Sequence, residues 1–261
     1  MKQSPSRRSL LRLMAGIPLL AAGASVAAAD QAPLIGRLIQ EARAHDQIAQ
    51  RIDFISRALR GVHYQANTLI GGPGHPEQFV VRDDAFDCVT FCEVVLAAAI
   101  AHDLEAFDAS LRRIRYEHGE VRWDERNHYF SAWSQRSLEN QICRRVALGR
   151  SVTIDKTVNW PPLGRRHISM AAIPRATLLA NGHLLASGDV IGFVSGRSNL
   201  DFFHTGLVAF EATTGALLLR HASRSRGRIV DERMDRFVAA NGVKYVTLLR
   251  AADSAPNVDL A

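Results

Sequence analysis

Asp84-Ala85-Phe86-Asp87-Cys88-Val89-Thr90-Phe91-Cys92-Glu93 is the stretch that decides the fold of this chain. Asp87 is a good helix N-cap, and the apolar run 89–100 has helical periodicity, so the pattern predicts a helix that begins at Cys88. A thiol on the first turn faces unpaired backbone N–H groups and the positive end of the helix dipole, and both favour the reactive thiolate. Cys88 is therefore a candidate nucleophile; the alternative is a buried structural cysteine.

Two histidines far downstream are candidate partners of this thiol. His204 and His221 lie in stretches rich in Val, Leu and Phe that predict β-strands, and a turn at 213–215 makes the two strands neighbours. A lone cysteine with distant histidines suggests a nucleophile and its base, which the fold brings together. In the simplest hairpin register a residue near 207 faces His221, so a direct contact between the histidines requires a bulge or an offset register.

The N-terminus has the pattern of an export signal. Arg7 and Arg8 precede an apolar stretch at 13–26 that is followed by three alanines at 27–29, and the paired arginines resemble a twin-arginine signal. The stretch is short and rich in Ala and Gly, so stable membrane insertion is not expected. We expect residues 1–29 to be cleaved near Ala29 and the mature protein to work in the periplasm.

Removal of that segment lowers the net charge. The whole chain has 32 basic and 26 acidic residues, a net charge of +6. Residues 1–29 contain four basic residues and no acidic ones, so the mature chain has 28 minus 26, a net charge of +2. A nucleic-acid-binding protein is expected to carry a concentrated basic stripe, so we do not expect nucleic acid as a partner. The mature length is enough for one sizeable core.

The remaining pattern divides the chain into a helical front and a strand-rich back. Helices are predicted over 32–43, 45–59, 88–100, 104–115 and 132–148, and a loop or short hairpin over 63–82. Strands are predicted over 188–195, 202–211, 216–222, 228–232 and 243–250. Helices followed by an antiparallel sheet predict an α+β fold, with residues 30–261 as a single domain.

Three cysteines in an exported protein leave at least one thiol unpaired, and Cys88 is expected to be that one. Cys92 and Cys143 are expected either to form a disulfide or to be two buried free thiols. Zinc prefers four ligands, and Cys88 with Cys92 supplies only two, so no metal and no cofactor are expected.

Five motifs in one order give the chain a specific resemblance. They are Gly61-Val62-His63-Tyr64, Phe86-Asp87-Cys88-Val89-Thr90-Phe91, Gly188-Asp189-Val190-Ile191, His204-Thr205-Gly206-Leu207-Val208 and His221-Ala222-Ser223. This order resembles the NlpC-type papain-like cell-wall hydrolases. Asp-Cys-Val-Thr-Phe and the stretch at 126–133 resemble a branch formerly labelled a domain of unknown function, whose characterised members are N-acetylmuramoyl-L-alanine amidases.

The resemblance implies a catalytic Cys on a helix packed against a small antiparallel, barrel-like sheet. By position it implies Cys88 as nucleophile, His204 as general base and His221 as the residue that orients His204. The Cys88 backbone N–H is a candidate oxyanion donor. Tyr64 matches a tyrosine that lines the site in the wider family, and its hydroxyl is a second candidate donor or a structural anchor.

Three further residues are candidate substrate contacts. His128 and Tyr129 combine an imidazole and an aromatic ring, which suit sugar binding; the alternative for both is a structural role. Asp201, three residues before His204, is expected either to orient a ring or bind a polar substrate group, or to serve as a turn residue.

The resemblance thus implies a monomeric periplasmic cysteine amidase that acts on peptidoglycan fragments (muropeptides). The lack of a separate wall-binding module favours soluble turnover fragments as substrates. One alternative is a D,L-endopeptidase that cuts the γ-D-glutamyl bond of the stem peptide with the same triad. Another is a non-catalytic module that binds muropeptides.

Overall fold

The computed structural model describes residues 32–160 and 163–253, which form seven α-helices and twelve β-strands. The expected signal segment and its cleavage point at Ala29 lie outside the described residues. In the part of the chain that is described, no helix is long and apolar enough to cross a membrane. The helices are α1 (Pro33–Ala42), α2 (Ile48–Ala58), α3 (Cys88–Ile100), α4 (Leu104–Arg115), α5 (Phe130–Glu139), α6 (Arg175–Ala180) and α7 (Met234–Ala240).

Helix α3 is the centre of the helical layer. It packs against α1, α2, α4 and the sheet, and its residues 90–99 are all buried. A helix that is apolar on every side is stable only inside a core, which is the environment that the run 89–100 predicts. Burial of one large side chain such as Phe91 contributes about 1.5–3 kcal/mol. The helix that begins at Cys88 is therefore held rigidly.

One charged side chain interrupts this apolar surface. Glu93 is buried on α3, and its carboxylate accepts a hydrogen bond of 2.8 Å from the Arg115 Nε. The same guanidinium donates from Nη1 to the carbonyl oxygen of Val80 at 2.7 Å. A buried charge is tolerated when it is paired and hydrogen-bonded. The pair ties α3 and α4 to the segment that leads into Cys88.

The sheet has ten strands. Its order is β4-β1-β11-β10-β9-β8-β12-β7-β6, and β5 also pairs with β12. The strands are β1 (His63–Tyr64), β4 (Ala85–Phe86), β5 (Cys143–Arg145), β6 (Val152–Trp160), β7 (Gly164–Pro174), β8 (Val190–Val194), β9 (Phe202–Phe210), β10 (Leu217–Ser223), β11 (Arg228–Arg233) and β12 (Tyr245–Ala251). The hairpin of β2 (Ile70–Gly72) and β3 (His75–Gln78) stands apart.

Both faces of this sheet are covered. One face packs against the helical layer in a core that includes Phe91, Cys92, Leu207 and Ala222. The other face forms a second core with α6 and α7, built around residues such as Phe193, Leu219 and Phe237. Because side chains alternate between faces along a strand, neighbouring residues of β9 and β10 enter different cores.

The α+β class predicted from the sequence is confirmed. The helix predicted over 104–115 and the five predicted strands agree with the structure to within two residues at each end. The helix predicted over 132–148 is wrong beyond 139, because Gln141 adopts a left-handed backbone with φ 57° and residues 143–145 pair with β12 instead. Between the predicted helix that ends at 148 and the predicted strand that begins at 188, the structure adds the long hairpin of β6 and β7.

All three cysteines are free, and Cys92 and Cys143 are both buried. Of the two expected arrangements, the structure has the pair of buried thiols and not the disulfide. Cys143 lies on β5 and not in a helix. The Cys92 sulfur is 3.9 Å from the hydroxyl of Thr205, so Cys92 faces the sheet one helical turn below Cys88.

Candidate active site

Cys88 occupies the first position of α3, held there by a capping box. The Asp87 carboxylate accepts hydrogen bonds from the backbone N–H groups of Val89 (3.0 Å) and Thr90 (2.8 Å). The Thr90 hydroxyl oxygen accepts in return from the Asp87 N–H at 3.0 Å. Reciprocal bonds of this kind stabilise a helix start. The cap binds the N–H groups on either side of Cys88, which leaves the Cys88 N–H as the donor of the first turn that faces the site.

The Cys88 sulfur lies against β9. The backbone N–H of Thr205 faces it and lowers its pKa, as do the N–H groups of Cys88 and Val89. Burial and the neighbouring charge of Asp87 act in the opposite direction, and burial is the largest effect, so the pKa of Cys88 is raised to about 12. The effect of desolvation on the thiol pKa is therefore larger than the effect of the helix N-terminus. The sequence favours a thiolate at Cys88, whereas the raised pKa favours a neutral thiol in the free protein.

The two predicted histidines are brought together on the sheet. The Nε2 atom of His204 is 2.6 Å from the Nδ1 atom of His221, which is a hydrogen-bond distance. Their rings meet edge to face with centroids 4.8 Å apart. From the sequence, a direct contact between these two histidines required a bulge or an offset register, and the structure contains this contact.

The register explains this contact. Pairing between β9 and β10 runs from Leu217↔Phe210 to Arg220↔Leu207 and stops there. If this register is continued by one residue, His221 lies opposite Gly206. His204 is then the diagonal neighbour of His221, at a distance that long side chains can span. A Cβ on Gly206 would lie 2.9 Å from the Cβ of His221, which is too close. Glycine at 206 therefore makes room for the ring of His221 to lean towards His204.

A β-bulge in β9 sets the direction of the His204 side chain. Phe193 of β8 pairs with His204 and Val194 pairs with Phe202, so Phe203 is the extra residue. Bulges redirect side chains and are frequent beside active sites. The His204 ring lies against Phe193 and Phe237, with centroids 6.1 and 5.5 Å away.

This apolar environment keeps both imidazoles neutral. Burial, and after it the charge of His221, lowers the pKa of His204 to about 3. Burial lowers the pKa of His221 to about 4, with a smaller opposing effect of Asp231. A neutral imidazole has one nitrogen free to accept a proton, as a general base requires. With its Nε2 atom engaged by His221, His204 has Nδ1 available for the thiol.

The remaining contact of such an arrangement is the one between Cys88 and His204. Among the described residues, Cys88 makes no hydrogen bond to His204; its sulfur faces the N–H of Thr205, the next residue in the chain. Catalytic hydrogen bonds are often long in the absence of substrate and shorten when substrate binds. The structure therefore shows the two histidines in contact with each other, with the His204 ring on Phe193 and Phe237, and within the described residues it shows no contact between the thiol and the imidazole.

Tyr64 is electrostatically coupled to Cys88. Its pKa is raised first by burial and then by the charges of Cys88 and Asp87, while Arg224 lowers it. The Tyr64 backbone N–H donates to the carbonyl oxygen of Gly227 at 2.9 Å, which fixes its strand against the turn after β10. Tyr64 therefore lies within electrostatic range of Cys88, and Arg224 is a cation within the same range.

His128 and Tyr129 lie away from this cluster, at the entrance to α5. The His128 Nε2 is 2.6 Å from the carbonyl oxygen of Trp123, and burial lowers its pKa to about 4. Tyr129 is buried and lines a cavity of about 290 Å³ between α5 and the β6–β7 hairpin. The structure thus gives these two residues local structural contacts beside a cavity that Cys88 does not line.

Asp201 is 2% exposed, and its carboxylate is occupied by backbone donors. It accepts from the N–H of Ser131 in the first turn of α5 at 2.8 Å and from the N–H of Phe202 at 2.7 Å. The carboxylate thereby ties the start of α5 to the start of β9. These contacts agree with a turn and anchoring role and give no support to substrate binding.

Sequence reasoning missed two members of the candidate site. Thr205 supplies the N–H that faces the sulfur of Cys88, and Gly206 supplies the space for His221. The signal was present, since a glycine two residues after a strand histidine suggests a close approach of another strand. No metal centre accompanies them: the described residues contain no group of three or more His, Cys, Asp or Glu side chains placed to hold a metal ion.

The chain is similar in fold to several solved structures. A Legionella pneumophila protein of the family DUF1460 is 21% identical, with a TM-score of 0.73 over 83% of this chain and 93% of that one. An N-acetylmuramoyl-L-alanine amidase from Bacteroides uniformis is 22% identical, with a TM-score of 0.67 over 79% of this chain and 99% of that one. At such identities the likeness shows the fold alone. No curated protein matches the sequence.

The family follows from the sequence itself. Residues 54–243 match the model of the AmiA-like family, described as N-acetylmuramoyl-L-alanine amidase-like. The matched range contains the helix that begins at Cys88, both histidines and the whole sheet except β12. This membership supports a peptidoglycan amidase-like hydrolase. The chain belongs to the AmiA-like family of N-acetylmuramoyl-L-alanine amidase-like proteins.

Proposed function

We propose that this protein is a cysteine N-acetylmuramoyl-L-alanine amidase that cleaves soluble peptidoglycan fragments. Cys88 is the nucleophile, His204 the general base and His221 the residue that orients His204. The observation that carries the proposal is the 2.6 Å contact between His204 Nε2 and His221 Nδ1. It is supported by the thiol at the start of a buried helix, which meets the same strand at the N–H of Thr205. A nucleophile, a base and an orienting third group are the parts of a catalytic triad.

The reaction begins from a neutral pair. Because burial favours the thiol of Cys88 and the neutral ring of His204, the proton moves from Sγ to His204 Nδ1 as the sulfur attacks the lactyl carbonyl carbon. A tetrahedral oxyanion forms, and the Cys88 N–H is placed to donate to it. The Tyr64 hydroxyl is the second proposed donor.

The intermediate then collapses in two stages. The carbon–nitrogen bond breaks, and His204 returns its proton to the departing amine of L-Ala, which releases the stem peptide. The muramoyl group remains as a thioester on Cys88. His204, neutral again, removes a proton from water as the water oxygen attacks the thioester carbon. The carbon–sulfur bond then breaks, the sugar acid leaves, and the sulfur of Cys88 takes the proton back from His204. His221 keeps the His204 ring in place throughout.

We also propose that the fold is papain-like and of the NlpC type. The nucleophile helix packed against an antiparallel sheet supports a papain-like fold of the NlpC type. The order Cys88, His204, His221 along the chain agrees with that type. Tyr64, His128, Tyr129 and Asp201 stay proposals as substrate contacts, and only Tyr64 has contacts near Cys88 in its favour.

The test is a digest of purified muropeptides by the protein without residues 1–29, followed by liquid chromatography and mass spectrometry. An amidase releases the free sugar and an intact stem peptide. Cleavage after the γ-D-glutamyl residue would establish the D,L-endopeptidase instead, and tight binding without turnover would establish the binding module. Cys88→Ala is the matched control, and it should yield no product of either kind.

The compartment is a separate proposal. We propose export to the periplasm by the twin-arginine route, on the basis of Arg7 and Arg8 before the apolar stretch. Replacement of both by lysine preserves the charge and should block a route that depends on the arginine pair. Unchanged periplasmic protein on fractionation would show that the general secretory route is used; protein found only in the cytoplasm for the wild type would exclude the periplasm.

A further inference from the structure

The histidine pair contains a buried ring nitrogen without a hydrogen bond. The Nε2 of His221 is buried and unpartnered, and the atom that faces it is the Glu232 Oε2 at 3.5 Å. This distance is a charge contact and is too long for a good hydrogen bond. An unsatisfied buried nitrogen is costly, so the carboxylate that faces it matters for which form of the ring is stable.

Three side chains lie on a diagonal across three neighbouring strands. His221 of β10 pairs with Val230 of β11, so Glu232 is its diagonal neighbour on the same face. His204 of β9 is the diagonal neighbour on the other side. Asp231, the residue next to Glu232, points to the opposite face, where the Arg220 guanidinium donates to both of its oxygens.

A pair of neutral histidines that shares one hydrogen bond has two arrangements. In the first, His204 carries its proton on Nε2 and donates to His221 Nδ1, so His204 Nδ1 is free to accept a proton. In the second, His221 donates from Nδ1 to His204 Nε2, and His204 then carries its proton on Nδ1. Only the first arrangement allows His204 to act as a base towards Cys88.

The carboxylate distinguishes between these arrangements. In the first, His221 carries its proton on Nε2, where it points at Glu232 and is stabilised by the negative charge. In the second, the Nε2 lone pair of His221 would face the carboxylate inside a buried site, which is repulsive. The first arrangement is therefore lower in energy.

We propose that Glu232 is a positioning residue that fixes the tautomers of His221 and His204, so that His204 Nδ1 can accept the proton of Cys88. The proposal rests on the proposed function for its catalytic consequence. Its structural part, the protonation state of two rings, is independent of the substrate. Glu232 does not touch the reacting atoms and acts through His221 alone.

The first experiment measures the tautomers directly. Nitrogen-15 NMR of the histidine rings distinguishes a protonated nitrogen from one with a free lone pair. The Cys88→Ala protein keeps the pair in its neutral state, and a further His221→Asn change assigns the signals among ten histidines. We expect the proton on Nε2 in both His221 and His204. A proton on His221 Nδ1 would overturn the proposal, whatever any variant does.

The second experiment removes the charge and keeps the shape. The amide of Glu232→Gln can donate to Nε2 or accept from it, so it no longer selects one tautomer. We expect a mixture of tautomers by NMR and a fall in kcat of about 10–100-fold, as for other partners that orient a functional histidine, with KM unchanged. Glu211→Gln is the control. Glu211 and Glu232 both line an arginine-rich cavity of about 540 Å³, but the contact with a histidine ring belongs to Glu232.

The outcomes separate the two proposals. Unchanged tautomers and unchanged kcat in Glu232→Gln would overturn the role of Glu232, as would a change in KM alone. If the wild type cleaves no muropeptide but shows the expected tautomers and their dependence on Glu232, the proposed function fails and the positioning role stands. Circular dichroism of each variant confirms that the comparison is between folded proteins.

Discussion

Gly206 and His221 face each other where β9 and β10 separate, and there is no room between them for a single methyl group. A Cβ on Gly206 would lie 2.9 Å from the Cβ of His221 and 2.9 Å from the carbonyl oxygen of Arg220. The second of these neighbours is backbone, which cannot move without the strand. The ring of His221 reaches His204 because this position has no side chain.

Gly206→Ala should therefore reduce activity more than stability. The new methyl group must displace β10, which carries His221, and overpacking of this kind costs about 1–3 kcal/mol. We expect kcat to fall at least about 100-fold, as for the loss of a third triad member, while thermal unfolding stays cooperative. Gly196→Ala, where a Cβ meets nothing within 4 Å, is the control. Full activity in Gly206→Ala would show that the histidine contact is not required.

Cys88→Ala should abolish hydrolysis and leave the fold intact. Loss of a triad nucleophile costs on the order of 10⁶ in kcat, and the helix cap of Asp87 and Thr90 does not involve the thiol. Cys92→Ala and Cys143→Ala, which remove buried free thiols, should retain most activity per folded molecule. An active Cys88→Ala protein would exclude the mechanism, and an inactive but folded Cys92→Ala protein would point to a joint role for the two thiols.

The two histidines should differ in how they tolerate substitution. His204→Ala should approach the loss seen for Cys88→Ala, because His204 transfers the proton. His221→Asn should keep activity within roughly 10²–10³ of wild type, since an amide can still accept a hydrogen bond from the His204 ring. His221→Ala should fall further, because the ring is then free to rotate. Steady-state kinetics on one muropeptide suffices, and a fully active His221→Ala protein would contradict the orienting role.

Asp201 should matter for stability and not for chemistry. Asp201→Ala leaves the buried N–H groups of Ser131 and Phe202 without their acceptor, which costs about 1–3 kcal/mol. We expect a lower urea midpoint and a kcat within a few-fold of wild type. Asp235→Ala, which breaks an exposed ion pair with Arg233, should change stability little. A stable but inactive Asp201→Ala protein would instead support a substrate contact.

Local patterns in the sequence predicted the parts of the site that are local. Asp87 before an apolar run fixed the start of α3, and the alternation of side chains fixed β9 and β10. The contact between His204 and His221 could not be predicted, because it depends on a register and on a bulge at Phe203. A shift of one residue would put either ring on the other face.

The protonation state of the thiol was also beyond the sequence. The start of a helix favours a thiolate, and that effect is local and visible in the sequence. Burial under the sheet opposes it, and burial depends on tertiary packing, which is why the expected thiolate and the raised pKa of Cys88 differ. The surroundings of His128 and Tyr129 also depend on tertiary packing, so the sequence could not show whether they contact a substrate.

Alkylation of Cys88 tests this protonation state without any substrate. With Cys92 and Cys143 replaced by alanine, the rate with iodoacetamide should be low at neutral pH and should rise steadily through the alkaline range, because burial raises the pKa of the thiol to about 12. A standing thiolate–imidazolium pair would give the opposite profile, a high rate that is flat from weakly acidic to neutral pH. His204→Ala should lower the neutral-pH rate further, since the thiol then has no base to take its proton. A flat profile in the parent protein would show that the ion pair forms despite burial, and the proton would then have moved before the attack on the carbonyl and not with it.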